Sequence, residues 1–398
     1  YPVNCMVWPF GAYNSFAKES AEKYGYEYQL MLNDDTKLDD VRSLSRFIIF
    51  ANPSDKELQS FLEHSYTGKK LRAAQIDIDA LYDSLPEQFE RNIDAAIDKM
   101  LANGFNTVFL QAFSDNDGDG NVDSVYFHTK QMPVLHDVFS HVAIRFKERG
   151  LMVYAWMPIL SYSHMTENDD DVITASSSEK AGWYRRATPF SPKVRDKAKA
   201  LVKDLAMYAP IDGLLFQDDL YMNDFEDFSP YGKRAFRESF GKELTLEALE
   251  DMELQQKWTH YKTRVLNDFT MELVQTARQY RPELRTARNI YPIVITNPES
   301  ETWFAQNYDD FLKLYDYVVV MAYPEMEKVA NDEEWLNELV KSSMKNRLGR
   351  EKAVFKLQGY DWSKGVWIKD SVQERRGKVI RRAGGKNLAQ YPVNVFSD

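Results

Sequence analysis

From Ala73 almost to the C-terminus, short apolar runs alternate with longer amphipathic stretches. The runs are Ala74–Asp79, Thr107–Phe113, Met152–Met157, Gly213–Gln217, Arg285–Ile290, Tyr317–Ala322, Val354–Leu357 and a weaker eighth, Lys386–Tyr391. A run such as Leu214-Leu215-Phe216, apolar on both faces, suits a parallel strand covered by helices. Strand–helix alternation argues for a parallel sheet, and eight such units predict an α/β fold, a (β/α)8 TIM-like barrel with long loops. An open, doubly wound sheet is the alternative.

The stretches between the runs carry helix signals. Pro86 opens a helix, Phe89, Ile93, Ile97 and Met100 form its inward stripe, and Gly104 ends it. Asp137 is expected to cap a second, with Val138, Val142 and Phe146 inward. Ser191-Pro192 starts a third, and Trp258 to Tyr280 is a long fourth. Trp303, Phe304, Tyr308, Phe311 and Leu312 line a fifth; Trp335, Leu336 and Leu339 line a sixth.

Residues 1–62 stand apart. Val3–Phe10 reads as extended, Pro9-Phe10-Gly11 as a turn and Ser15 as the cap of a helix to Tyr24. Tyr28–Leu32 and Phe47–Phe50 read as strands. This piece has too little core to be a domain alone. A linker, 63–72, leads to the barrel at 73–398. Cys5 is the lone cysteine, so no internal disulfide forms, and no apolar run reaches 18 residues, so no transmembrane helix is expected. The chain opens Tyr1-Pro2-Val3, and any targeting segment is expected upstream.

The strand Leu214–Phe216 ends in two adjacent carboxylates, Asp218 and Asp219, where barrels keep their chemistry. Adjacent acids repel, which holds a proton on one of them near neutral pH. Glycoside hydrolysis needs one acid protonated and one ionised. The bland alternative is a helix cap with a first-turn acid, and the catalytic reading is preferred. Gln75, Asp77 and Asp79 alternate with Ile76 and Ile78, which points two more carboxylates into the barrel mouth or else pairs them with an arginine such as Arg288. Arg288, Asn289 and Tyr291 follow the fifth run, and Tyr323 and Glu325 the sixth. Trp156, Trp362 and Tyr391 end the third, seventh and eighth, as sugar platforms or as packing. A polyhydroxylated ligand requires such a ring of donors, acceptors and faces.

Asp115, Asp117 and Asp119 have the oxygen spacing of a calcium loop, but the twelfth position is Tyr126 instead of Glu, and a plain polar turn explains the loop as well. The six histidines show no zinc spacing, and no nucleotide-binding glycine pattern occurs, so no cofactor is expected. The formal charge of −11 excludes nucleic acid as a natural partner and favours a neutral or cationic ligand.

Seven motifs come in order: Ile76-Asp77-Ile-Asp79, Leu110-Gln-Ala-Phe113, Asp117-Gly-Asp-Gly120, Tyr154-Ala-Trp-Met-Pro158, Asp212-Gly-Leu-Leu-Phe-Gln-Asp-Asp219, Thr286-Ala-Arg-Asn-Ile290 and Trp303-Phe-Ala-Gln-Asn307. The set resembles the poly-β-1,6-N-acetyl-D-glucosamine N-deacetylase family of Gram-negative biofilm systems. The resemblance implies that 73–398 is a glycoside hydrolase domain and that 1–62 is the closing part of a polysaccharide deacetylase domain whose metal ligands lie upstream. It implies an endo-acting glycosidase for partially de-N-acetylated polymer, with Asp218 and Asp219 as its acids; Asp77, Asp79, Gln111, Trp156, Arg288, Asn289, Tyr291, Tyr323, Glu325, Trp362 and Tyr391 are the substrate contacts expected from their places at the run ends. Asp219 is expected to donate the proton and Asp218 to orient the sugar's acetamido group. A binding module that guides the polymer during export is the alternative. The resemblance also implies a periplasmic or outer-membrane-associated location and admits an export porin as partner. The sequence departs from the family at Gln373–Arg382, which is more basic than the apolar helix expected there.

Overall fold

A computed structural model describes residues 3–8, 13–31, 43–45, 70–115 and 117–395. Eight parallel strands close on themselves: β1 (Arg72–Ile76), β2 (Thr107–Gln111), β3 (Met152–Met157), β4 (Gly213–Phe216), β5 (Arg285–Ile290), β6 (Tyr317–Ala322), β7 (Ala353–Gln358) and β8 (Asn387–Tyr391). The weak eighth run is a full strand. It pairs with β7 on one side and joins β1 on the other, through Leu388↔Arg72 to Gln390↔Ala74. Closure leaves no sheet edge to protect. Near-continuous burial along the strands shows why they read as apolar on both faces: one face fills the barrel and the other meets the helices.

Several strands end earlier than their apolar runs. β1 stops at Ile76, and Ile78–Leu81 forms a helical turn that buries Ile78 and Leu81. Asp77 and Asp79 therefore do not continue the strand face of Gln75; they project from the turn at its carboxyl end. Arg72 is the first residue of β1, not the last of a linker. β2 stops at Gln111, and Phe113–Ser114 pairs with Ser124–Val125 in a small antiparallel ladder.

Among the helices are α1 (Pro86–Ala102), α2 (Phe139–Glu148), α3 (Pro192–Tyr208), α4 (Met252–Arg278), α5 (Tyr308–Leu314), α6 (Asp332–Ser343) and α7 (Asp370–Arg382). Asp137 does not cap α2. Val138 holds that position, and the Asp137 carboxylate faces His128 at 3.5 Å. Ser191 stands before α3 as expected, but its hydroxyl donates to Asp171 at 2.5 Å. The fifth helix is two pieces. Ala305 turns left-handed at φ 47° after Glu301–Phe304, and the Asn307 side chain caps α5 afresh.

Before the barrel, Cys5–Val7, Tyr28–Met31 and Ser43–Ser45 form a parallel ladder beside the helix Ser15–Lys23. Asn14, not Ser15, caps that helix, accepting the Ala17 N–H at 2.7 Å. The turn expected at Pro9–Gly11, the strand Phe47–Phe50 and the linker up to Lys69 lie outside the described residues.

The basic helix α7 has a structural reason. Arg376, 5% exposed, grips Glu325 bidentately at 2.6 and 3.2 Å and Asp332 at 2.8 Å. A planar guanidinium suits two carboxylates on different elements, so it ties α7 to the β6 loop and to α6. Arg376→Met should lower the unfolding free energy by about 3 kcal/mol, because two partly buried carboxylates lose their partner. Urea unfolding of the variant measures this.

Candidate active site

The carboxyl ends of the strands surround a cavity of about 510 Å³. β1 and its turn supply Asp77 and Asp79, β2 supplies Gln111, β3 Trp156, β4 Gln217 and β8 Tyr391. Eight strands ending in one ring bring together residues more than 300 positions apart.

The Asp79 side is tightly bonded. Gln111 Nε2 donates to Asp79 Oδ2 at 2.6 Å, the Asp79 N–H donates back to Gln111 Oε1 at 3.2 Å, and the Tyr126 hydroxyl donates to Oδ1. Asp77 is less satisfied, and its Oδ1 has no hydrogen-bond partner. Burial, and then the charge of Asp79, push the Asp77 carboxyl up to about 7, against a smaller lowering by the Tyr391 hydroxyl. Two other buried atoms of this lining are unpartnered, Trp156 Nε1 and Gln217 Oε1. Buried polar atoms without partners are costly, and in a cleft they mark where a polar ligand would bond.

The adjacent acids separate into different roles. Asp219 is 0% exposed. Its Oδ2 accepts the backbone N–H groups of Ile159, Leu160 and Ser161 at 2.8, 2.6 and 3.0 Å. It therefore anchors the turn after β3, while its buried Oδ1 has no hydrogen-bond partner; neither Asp219 nor Asp218 is among the residues that line the cavity. Asp219 was expected to have the freer reach of the pair; one of its oxygens is held by three N–H groups and the other is unpartnered. Asp218 is only partly buried and accepts from the Tyr291 hydroxyl at 3.2 Å. Burial raises its carboxyl; the charge of Lys356 and the Tyr291 hydroxyl act the other way.

Aromatic rings line one side of the mouth. Trp156 meets Tyr391 at 5.3 Å between centroids, and Tyr391 meets Trp362 at 6.1 Å. Trp362 is 45% exposed and lies 6.2 Å from Tyr323. Trp183 lies 5.8 Å from Tyr291.

Of the expected contacts, Arg288, Asn289, Tyr291, Tyr323, Glu325 and Trp362 are not among the residues that line the cavity. Arg288 turns outward to the helix layer, donating to Asn267 of α4 and to Tyr315 at 2.7 Å each and stacking on Phe311 of α5. It pairs with neither Asp77 nor Asp79. Glu325 is held by Arg376. Asn289 lies inside the barrel and accepts from Lys356 at 3.1 Å. Sequence reasoning missed Gln217, Tyr184 and Lys356. A lysine within the apolar run Val354–Leu357 was the signal for the last; Tyr184 lies in a long loop and gave none.

In the candidate calcium loop, carboxylate oxygens of Asp115, Asp117 and Asp119 lie within 4.8 Å of one another. Asp115 spends both oxygens on its own loop, accepting from the Gly118 and Gly120 N–H groups at 3.0 Å each. That is the bonding of a polar turn.

The model of a family described as hypothetical glycosyl hydrolase family 13 matches residues 75–391. The PgaB (BpsB) glycoside hydrolase domain from Bordetella bronchiseptica is 35% identical, with a TM-score of 0.77 over 82% of this chain and 95% of that one. The chain belongs to this family of PgaB-type glycoside hydrolase domains. It is also 35% identical to the poly-β-1,6-N-acetyl-D-glucosamine N-deacetylase of Escherichia coli K12 over 98% of its length, and spans 60% of that protein. An α-L-fucosidase from Paenibacillus thiaminolyticus, 11% identical with a TM-score of 0.58 over 82% of this chain and 46% of that one, shares the PgaB-type barrel as a fold alone.

The two acids are separable by stability. Asp219→Ala should cost about 3 kcal/mol in urea unfolding, since three buried N–H groups lose a charged acceptor. Asp218→Asn should stay within about 1 kcal/mol of the parent.

Proposed function

We propose that the barrel is an endo-acting hydrolase of poly-β-1,6-N-acetyl-D-glucosamine from which part of the N-acetyl groups have been removed. The observation that carries this reading is the cleft itself. Asp77, Asp79 and Asp115 line it with Trp156, Tyr184 and Tyr391, and no lysine or arginine is among the residues that line it. Deacetylation leaves amines, so the polymer is cationic, and an acidic cleft on a chain of charge −11 attracts it. Sugar faces stack on the rings, and Asp77 Oδ1, Trp156 Nε1 and Gln217 Oε1 offer two acceptors and a donor. The name of the E. coli relative supports this substrate, and that of the Bordetella relative supports glycoside hydrolysis. In this reading the protein works in the periplasm or at the outer membrane, residues 1–62 belong to a deacetylase domain, and an export porin is a partner. Among the described residues no helix is long and apolar enough to cross a membrane.

Asp77 and Asp218 divide the chemistry. Asp77 carries the proton, because burial and Asp79 hold its carboxyl up to about 7. Asp218 is assigned as the ionised partner; burial raises its carboxyl, and the Lys356 charge and the Tyr291 hydroxyl oppose that rise. The acetamido oxygen of the sugar bonds to its own anomeric carbon as the glycosidic C–O bond breaks. The departing oxygen takes the Asp77 proton. Asp218 accepts the acetamido N–H and balances the positive charge of the cyclic intermediate. Water then adds at the anomeric carbon, returns a proton to Asp77 and restores the acetamide with retained configuration.

Asp77→Asn and Asp218→Asn should each lower cleavage of a partially deacetylated oligosaccharide by ~10²–10⁴ with binding retained. Polymer bound without any new reducing ends by the parent protein overturns the enzyme and leaves a binding module. Because Asp77 must be protonated, kcat/KM should fall as pH rises through about 7, and this limb should vanish in Asp77→Asn. Affinity for deacetylated polymer should weaken with added salt, while fully acetylated polymer should bind less and show little salt dependence.

A further inference from the structure

Lys356 crosses the inside of the barrel. It sits in the middle of β7 between Phe355 and Leu357, 2% exposed. Its Nζ donates to Gln75 Oε1 of β1 at 3.0 Å and to Asn289 Oδ1 of β5 at 3.1 Å. β1 and β5 stand opposite each other in an eight-stranded ring, so a side chain that reaches both lies across the interior. Both partners are neutral amides. Among the described residues no carboxylate comes within 4.0 Å of this ammonium, and its third hydrogen has no acceptor. Burying an ammonium with only amide partners costs several kcal/mol that an apolar side chain there would not. The fold alone gives no reason to keep it.

The charged group that acts on Lys356 is Asp218, which lies above it at the end of β4. The Tyr323 and Tyr391 rings flank the ammonium at 5.8 and 5.9 Å. Asp218 in turn faces Tyr184, Tyr221, Tyr291, Tyr323, Tyr391 and Asp219, all neutral or anionic. Lys356 is therefore the cation available to that carboxylate. We infer that Lys356 is a positioning residue for the reaction, an ammonium fixed by Gln75 and Asn289 below the cleft, which keeps Asp218 ionised and ready to orient the acetamido group without itself touching the sugar. This rests on the role given to Asp218 above. Burial pulls the ammonium down to about 7 and the Asp218 charge holds it up, as a coupled pair requires.

The test is Lys356→Met, assayed across pH on a partially deacetylated oligosaccharide. Without the ammonium, Asp218 takes up a proton more readily, so the acid limb of kcat/KM should move up by about 1 pH unit. Below that limb kcat should fall tenfold with KM unchanged. A variant that folds, by near-ultraviolet circular dichroism, and keeps the parent's limb overturns the inference. A second arm needs no turnover. In the whole protein with isotope-labelled lysine, the Lys356 ammonium is titrated by NMR in the parent and in Asp218→Asn. Its titration should move to lower pH in Asp218→Asn, and an unmoved titration overturns the coupling. Failure of the hydrolase reading shows separately, as no product from the parent protein.

Discussion

Closure of the barrel at β8 and β1 is the constraint on which the site depends. The ladder Leu388↔Arg72 to Gln390↔Ala74 joins two strands 316 residues apart at their first pairing, and it sets Tyr391 beside the turn that carries Asp77. Every other strand pair then falls into place as a neighbour in sequence. A slip of one residue in this ladder would turn Tyr391 to the other face of β8 and remove it from Asp77. The ring of strand ends, and with it a cleft built from five strands, exists only because the sheet has no edge.

Three buried ionisable groups stand around that ring. Asp77 keeps an unpartnered oxygen and a raised carboxyl, which is the state a proton donor needs. Asp219 is fully buried but gathers three backbone N–H groups, so its charge serves the turn Ile159–Ser161. Lys356 is held by two amides. Adjacent residues thus perform different work. Both acids lie in the turn beyond β4, where Asp218 meets the Tyr291 hydroxyl and Asp219 meets the backbone of the loop after β3.

The outer layer deals with its charges by pairing. Arg376 joins Glu325 to Asp332, and Arg288 fills a polar gap between β5 and α4. Each looked like a ligand contact or an oddity in the linear sequence. Polar residues at strand ends serve either the cleft or the helix packing, and only the direction of the side chain separates the two.

The architecture was legible in the sequence because barrel strands are buried on both faces and so read as apolar runs, and because Pro86, Gly104 and Pro192 mark helix ends by backbone chemistry. That Trp156 and Tyr391 line the cavity was legible for the same reason, since both stand at the carboxyl ends of such runs. Tertiary structure alone decided which of these side chains face the ligand. It gave one oxygen of Asp219 to the turn Ile159–Ser161, set Arg288 among the helices, gave Glu325 to Arg376 and held Lys356 between Gln75 and Asn289. Strand periodicity fixes a residue's height in the barrel, whereas hydrogen-bond partners from distant loops fix where its charge goes.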